Sequence, residues 1–287
     1  MKQTKRLGLK KSTLLEILMT PEISILFPLV ILCVYTSIVN PNFLQLRNIQ
    51  VILRYSTFIG TLAIGEAFVL MCGEIDLSVG TCSALASVIF ASIVGTLGLS
   101  VPAGIILTLL VGVVVGSINS VLTLKFKMNA WITTISMQYV CAGIATVICK
   151  GKAITGLGDG IREFSSARPM GLSWMFFIMI SILLLCEIAV RFPTIGRQVH
   201  SVGLSVEAAR VAGIHTMKVK SICFIFCSMM GAVCGILQTV NNVAANATVG
   251  DGNDFPAIIC CVIGGVSNLG GKGSMLGVLL CVIMYQT

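Results

Sequence analysis

The sequence predicts an all-α protein, a polytopic bundle of helices that cross a membrane. Of its 287 residues, 56% are hydrophobic and only 10% are charged, whereas soluble domains carry roughly 25% charged residues. The mean hydropathy is +1.00, and apolar runs long enough to span lipid follow one another along the chain. We therefore expect residues 1–287 to form a single transmembrane domain in contact with membrane lipid.

The apolar runs define the elements in chain order. Residues 1–22 have a basic start without a signal-peptide core, and we interpret them as a cytoplasmic tail. The runs that follow cover residues 23–39, 51–72, 82–97, 102–124, 130–149, 172–190, 221–240, 256–266 and 275–284. The last run holds about ten residues, too few for a helix that crosses the hydrocarbon. We expect the polypeptide to be cut short relative to a complete transporter.

The basic residues predict the orientation. With the N-terminus inside and the spans alternating, 13 of the 19 Lys and Arg residues lie on the inner side, as the positive-inside rule requires. The net charge of +8 is spread over short loops, which argues against binding of nucleic acid. We expect a multi-pass membrane protein with a cytoplasmic N-terminus.

The segment of residues 191–220 is polar although long apolar runs flank it. Ser205 can serve as the N-cap of a short helix over residues 206–212, and Gly213 can end that helix as its C′ residue. The small side chains expected on its surface would let a partner approach closely: Ala208, Ala209 and Ala212. The residues alone leave two interpretations open, a docking helix and a solvated connector.

A second polar interruption, GEIDLSVGT at residues 73–81, carries two acids within an apolar region. A continuous helix would place both acids in lipid, at about 2.5–3.5 kcal/mol for an Asp at mid-span. The sequence therefore predicts a break or re-entrant turn. Asp76 or Ser78 can cap the helix that follows, and Glu74 would suit its dipole.

A third glycine-rich stretch covers residues 248–274. Its Gly-x-Gly follows no predicted strand, which excludes a dinucleotide fingerprint. Its GGKGS lacks the spacing of a phosphate-binding loop, so we expect tight turns and close helix packing instead.

These three motifs resemble the permease subunits of bacterial ABC importers, in the branch that carries ribose and other monosaccharides. In the first motif the matching residues are Gly196, Arg197, Gly203, Glu207, Ala208, Ala209, Gly213 and Ile214. In the second they are Gly73, Ile75, Asp76, Leu77, Ser78 and Gly80, and in the third Gly250, Gly252, Asp254, Ala257, Ile258, Gly264, Gly265, Gly270, Gly271 and Gly273. Three residues differ from the family pattern: Glu74 stands where the family usually has Gly, Asp254 where it has Glu, and Pro256 where it has an acidic residue. The resemblance covers about residues 40–287.

The resemblance implies a ten-helix permease that lacks its last portion here. It implies that an ABC ATPase subunit docks on the helix of the 191–220 loop and that ATP is bound and hydrolysed by that separate subunit. A second permease copy or paralogue would complete the pore, and an extracytoplasmic sugar-binding protein would touch external loops, including residues 150–171. The resemblance also implies that this chain is not an enzyme and binds no cofactor or metal.

The translocation path is predicted from chemistry alone. A monosaccharide presents hydroxyl groups, which polar side chains can pair with. The candidates are Asn119, Asn129, Thr133, Thr134, Gln138, Asn241, Asn242 and Asp254.

Two acids lie inside apolar runs and require separate explanations. Glu187 is four residues before Arg191, which predicts a local ion pair. Glu66 is deeper and has no sequence neighbour of opposite charge. It keeps open the alternative of an ion-coupled secondary transporter of a small polar solute, which would also require paired acids and an internal repeat. A membrane-embedded enzyme would need a clustered catalytic motif, and none is present in the sequence.

Overall fold

The computed structural model describes residues 21–192 and 194–287, so the predicted tail lies almost wholly outside the described residues. The described chain folds into helices joined by short connections. The helices are α1 (Pro21–Val39), α2 (Leu46–Met71), α3 (Val79–Ala91), α4 (Val101–Ser120), α5 (Ala130–Cys149), α6 (Asp159–Ser166), α7 (Trp174–Arg191), α8 (Ile195–Leu204), α9 (Val206–Val211), α10 (Thr216–Asn242), α11 (Asp254–Ile263) and α12 (Met275–Gln286). Single π-helical turns at Ser92–Thr96 and Val121–Lys125 extend α3 and α4.

The prediction of an all-helical membrane bundle is confirmed. Within the described residues, six helices are long and apolar enough to cross a membrane: α2, α3 with its π turn, α4 with its π turn, α5, α7 and α10. Three shorter apolar helices, α1, α11 and α12, accompany them. The expected count of ten spanning helices stays a prediction.

Helix α10 is the centre of the bundle, where it packs against α2, α3 and α4. Glycines on both sides permit this packing, because an added Cβ atom would meet backbone. At Gly116 it would lie 2.5 Å from the Cα of Ile225, and at Gly231 it would lie 2.9 Å from the carbonyl oxygen of Val79. Small residues at helix contacts are typical of membrane bundles, where close van der Waals packing drives association.

The predicted break within residues 73–81 is confirmed. Helix α2 ends at Met71, Gly73 has a φ of +74°, and α3 does not begin until Val79. Asp76 and Ser78 in the connection are fully buried. Irregular backbone at this depth is tolerated because the protein, and not lipid, surrounds it.

Two short helices were not anticipated from the sequence. Helix α6 lies within the 150–171 connection, and α8 occupies the first half of the 191–220 segment. Each is amphipathic and too short for a strong periodic signal; Val199 and Val202 are the buried residues of α8, apart from Gly196. The segment is thus two successive helices, α8 and α9, where the sequence predicted one.

Candidate functional site

We call the end of the bundle that carries α8 and α9 the loop end, and the opposite end the amide end. At the loop end the three sequence motifs meet at Gly203. A Cβ atom there would collide with the carbonyl oxygen of Met71 and with the backbone nitrogen of Gly271. The same nitrogen donates a hydrogen bond to Met71 O at 2.9 Å. We call this contact of Met71, Gly203, Gly270 and Gly271 the glycine junction.

The left-handed conformation of Gly270 and Gly271, with φ of +85° and +82°, gives the junction its shape. Such φ values suit glycine and strain other residues. A Cβ atom on Gly270 would also lie 2.7 Å from the carbonyl oxygen of Gly203. Backbone therefore packs directly on backbone where α8 meets the end of α2.

Helix α9 forms as the sequence predicts. Ser205 caps it, because the Ala208 N–H donates to Ser205 Oγ at 3.2 Å, and Gly213 follows it with a φ of +82°. Glu207, Ala208 and Val211 are exposed, and Val211 is 91% exposed. Helix α9 thus presents an acidic, a small and an apolar side chain on its outer surface.

One detail of the predicted helix surface is wrong. Ala209 is only 2% exposed and belongs to the core, whereas Ala208 and Ala212 are exposed. On a helix, residues one position apart point in different directions, and Ala209 is the position that faces the bundle. The exposed residues of α9 are therefore Glu207, Ala208, Arg210 and Val211.

Glu74, the departure from the family pattern, does not act at a helix dipole as expected. Its Oε1 accepts a hydrogen bond from Lys220 Nζ at 2.6 Å, and the two side chains are 20% and 12% exposed. This ion pair ties the broken segment to the first turns of α10. The sequence shows these residues only as two charged positions 146 residues apart, and nothing in it indicates that they pair.

A buried polar centre surrounds Asp76 in the middle of the bundle. Asp76 Oδ1 accepts from the Ser78 N–H at 2.9 Å and from Ser78 Oγ at 2.6 Å, and Asn119 Nδ2 donates to both Asp76 oxygens. Glu66 Oε1 in turn accepts the Asp76 N–H at 3.1 Å. Burying these carboxylates is tolerable because donors surround them.

The expected capping role of Asp76 or Ser78 is therefore wrong. Ser78 occupies the N-cap position of α3 but forms no side-chain cap hydrogen bond. Its hydroxyl is committed to Asp76 instead, and Asn119 Nδ2 donates to the same hydroxyl oxygen at 2.8 Å. The group fixes the break in the chain, and Asn119 is the predicted path residue that belongs to it.

Gly80 joins the second motif to the third. A Cβ atom at Gly80 would lie 2.8 Å from the carbonyl oxygen of Gly250 and 3.3 Å from Asp254 Oδ1. Asp254 is 1% exposed, and neither of its oxygens has a hydrogen-bond partner within the described residues. The first turns of α3 and α11 thus meet inside the protein.

A polar cavity of about 250 Å³ opens at the amide end, and we call it the amide cavity. Its side chains combine carboxamides with two aromatic rings, and no acidic or basic residue lines it. The lining residues are Tyr55, Phe58, Ile59, Gln238, Asn241, Asn242, Val249, Gly250, Asn253 and Gln286. Arg54 Nε, just outside, donates to Asn241 Oδ1 at 2.5 Å and orients that amide.

The structure separates the predicted path residues into distant groups. Asn241 and Asn242 lie together at the amide end, joined by a 2.8 Å hydrogen bond. Asn129 lies at the loop end, where it caps α5. Thr133 is buried in α5 with an unpartnered hydroxyl, and Gln138 is half-buried two turns further on. Sequence reasoning did not single out Gln238, Asn253 or Tyr55, because single polar residues near span ends carry no distinctive pattern.

Two further side chains clarify the loop end. The predicted ion pair is confirmed, since Arg191 Nε donates to Glu187 Oε1 at 2.5 Å. The other oxygen of Glu187 accepts the Met275 N–H at 3.1 Å and anchors α12.

Burial lowers the pKa of His200 on α8. Among the described residues, no group of three or more His, Cys, Asp or Glu side chains is placed to hold a metal ion.

A bundle of apolar helices around a buried break, with water-exposed short helices at one end, defines a polytopic transport permease. The chain belongs to the family of branched-chain amino acid transport system / permease components, whose model matches residues 48–287. This match confirms the resemblance carried by the three motifs.

Individual relatives agree with the family. The chain is 30% identical over 259 residues to the ribose import permease protein of Escherichia coli strain K12, covering 89% of this chain and 80% of that protein. It is 33% identical over 261 residues to the ribose import permease protein of Bacillus subtilis strain 168, covering 90% and 81%. It is 31% identical over 248 residues to the L-arabinose ABC transporter permease protein of Azospirillum brasilense, covering 86% and 73%. No solved structure matches the chain.

Proposed function

We propose that this chain is the membrane-spanning permease subunit of an ATP-driven ABC importer that translocates a monosaccharide. The observation that carries the proposal is the amide cavity, whose polar side chains are uncharged. Relatives named for ribose and L-arabinose import support the same substrate class. The chain is a multi-pass membrane protein of the permease class, and it acts on a solute without changing its covalent structure.

The chemistry of the amide cavity distinguishes sugars from amino acids. Each carboxamide offers two N–H donors and a carbonyl acceptor, which matches hydroxyl groups that both donate and accept. A free amino acid would bring an ammonium and a carboxylate, and the cavity provides no charge of either sign. Tyr55 and Phe58 add apolar faces of the kind that pack against the carbon atoms of a sugar ring.

The energy comes from a separate subunit in this proposal. The sequence contains no phosphate-binding loop of the GxxxxGK[ST] type, so ATP is bound by an ABC ATPase partner. That partner docks on Glu207, Ala208 and Val211 of α9. The glycine junction then transmits the movement of that partner to α2 and to the broken segment. Arg197 lies in the first turn of α8, and Ile214 follows α9.

The proposed assembly places the loop end in the cytoplasm, as the distribution of Lys and Arg favours. A second copy of the permease, or a paralogue, completes the translocation path. A sugar-binding protein on the opposite side delivers the solute near the amide cavity. The nearby 150–171 connection, which carries α6, would contribute to its contact surface.

Co-purification tests the docking face directly. We expect the chain to co-purify with its candidate ATPase. Glu207→Arg should abolish the complex because it reverses a charge in the contact, and Val211→Asp should do so because it introduces one. Glu163→Arg is the matched control, since Glu163 is an exposed acid on α6 at the opposite end. Full assembly of the Glu207→Arg and Val211→Asp variants would show that α9 is not the docking helix.

A further inference from the structure

A second polar cavity, of about 380 Å³, lies at the loop end, and we call it the basic cavity. Its walls come from the end of α4, the connection to α5, α9 and the first turns of α10. Three cationic side chains line it, Lys127, Arg210 and Lys220, together with one acid, Glu74.

The charges in the basic cavity do not balance. Glu74 is engaged with Lys220, whereas Lys127 and Arg210 form no ion pair with any described residue. Two positive charges therefore share a concave site without a counter-charge. Both side chains are exposed and free to reach a ligand, and a bound anion would supply the missing counter-charge. Arginine and lysine together are the usual protein ligands of phosphate groups.

The surroundings of the basic cavity indicate where that anion comes from. Apolar side chains next to it are open on the outer surface of the bundle: Phe126 is 65% exposed, Trp131 46% and Ile132 61%. Trp is typical of the boundary between lipid and water. An anion that carries acyl chains would use the cavity and these side chains together, whereas a soluble anion would use only the cavity.

We propose that the basic cavity binds the phosphate headgroup of an anionic phospholipid in the cytoplasmic leaflet. Basic pockets between membrane helices on this side are suited to such headgroups. The assignment of the leaflet rests on the orientation in the proposed function. Val206 and Arg210, one helical turn apart, line the cavity, whereas Glu207 and Val211 do not; Arg210 is exposed at the edge of the cavity. The lipid thus supports α9 on the face that the ATPase does not use.

Lipid retention by the purified full-length chain tests the proposal. The protein is exchanged into detergent with equal amounts of phosphatidylglycerol and phosphatidylcholine, and bound lipid is counted by native mass spectrometry. The test variant is Lys127→Gln with Arg210→Gln. The matched control is Lys125→Gln with Lys218→Gln, which removes two exposed cations that do not line the cavity.

We expect the wild type and the control to retain phosphatidylglycerol preferentially. In the test variant, the ratio of bound phosphatidylglycerol to bound phosphatidylcholine should fall roughly fivefold for each cation removed. A variant with Lys127→Arg and Arg210→Lys keeps both charges and should keep the preference of the wild type. The proposal is overturned if the wild type shows no headgroup preference, or if test and control variants lose it equally. It is also overturned if inorganic phosphate at millimolar concentration displaces the lipid fully, which would assign the site to a soluble anion.

Two comparisons distinguish a failure of the lipid proposal from a failure of the proposed function. Lipid retention is measured without ATPase or sugar, so its loss says nothing about docking, and Glu207→Arg should leave it unchanged. If the test variant keeps its lipid but no longer co-purifies with the ATPase, the cavity receives an acidic side chain of that partner, and the lipid assignment is wrong.

Discussion

The two ends of α10 are built on different principles. At the loop end, glycines bring backbone onto backbone in the glycine junction, and the Glu74–Lys220 pair beside the basic cavity ties the broken segment to α10. At the amide end, side-chain amides surround an open cavity of about 250 Å³. Close-packed backbone has low compressibility and transmits strain, whereas amides on flexible side chains can turn to suit a ligand. The first end suits transmission of force and the second suits contact with a solute.

The largest expected effect comes from filling the glycine junction. Gly203→Ala should destabilise the protein by about 3 kcal/mol or more, because the new methyl group meets backbone that cannot move aside. The measurement is thermal unfolding in detergent, followed by size-exclusion chromatography. Gly143→Ala is the control, since a Cβ atom there meets nothing within 4 Å. Equal melting of both variants would show that the junction is not tightly packed.

The Glu74–Lys220 ion pair should give the next largest effect. Glu74→Gln leaves Lys220 without its partner in a mostly buried position, and we expect a loss of about 2 kcal/mol. A double-mutant cycle with Lys220→Met isolates the pair, with a coupling energy of about 1 kcal/mol or more. A coupling energy near zero would show that the Glu74–Lys220 pair does not stabilise the loop end.

The amide end should respond in transport and not in stability. Asn241→Ala removes an amide that lines the amide cavity and that the proposed function assigns to contact with the sugar. Loss of one hydrogen bond to the sugar, about 1–1.5 kcal/mol, corresponds to a fall in uptake of about tenfold. The same change removes the acceptor of Arg54, which is only half-buried and can turn to solvent, so thermal stability should fall by no more than about 1 kcal/mol. Asn246→Ala, in the exposed turn beyond α10, serves as the control. A drop in stability with unchanged uptake would reverse the roles assigned to the two ends.

The smallest effect concerns His200 at the loop end. Burial lowers its pKa in the folded state, so the unfolded chain binds the proton more readily. Stability is therefore complete above the unfolded pKa of about 6.5 and is lost as the pH falls below that value. His200→Gln should flatten this part of the pH–stability curve between pH 8 and pH 5. An identical slope in both proteins would assign the acid sensitivity to other groups.

Much of the fold could be predicted because it rests on local signals. Apolar runs fix the spans within a few residues, and Ser205 and Gly213 delimit α9 through their own conformational preferences. The partners of Glu74, Asp76 and Asn241 could not be predicted, because each contact joins residues far apart in sequence. For the same reason Ala209 was placed on the wrong face: the side of a six-residue helix that is buried depends on its neighbours.

The central claim is that a sugar at one end and an ATPase at the other are coupled through this chain. The most direct measurement is ATP hydrolysis in proteoliposomes that hold the chain, its candidate ATPase and a binding protein loaded with ribose, L-arabinose or leucine. We expect a monosaccharide to stimulate hydrolysis, leucine to have no effect, and Glu207→Arg to abolish the stimulation. Stimulation by leucine alone, or full stimulation in the Glu207→Arg protein, would contradict the account.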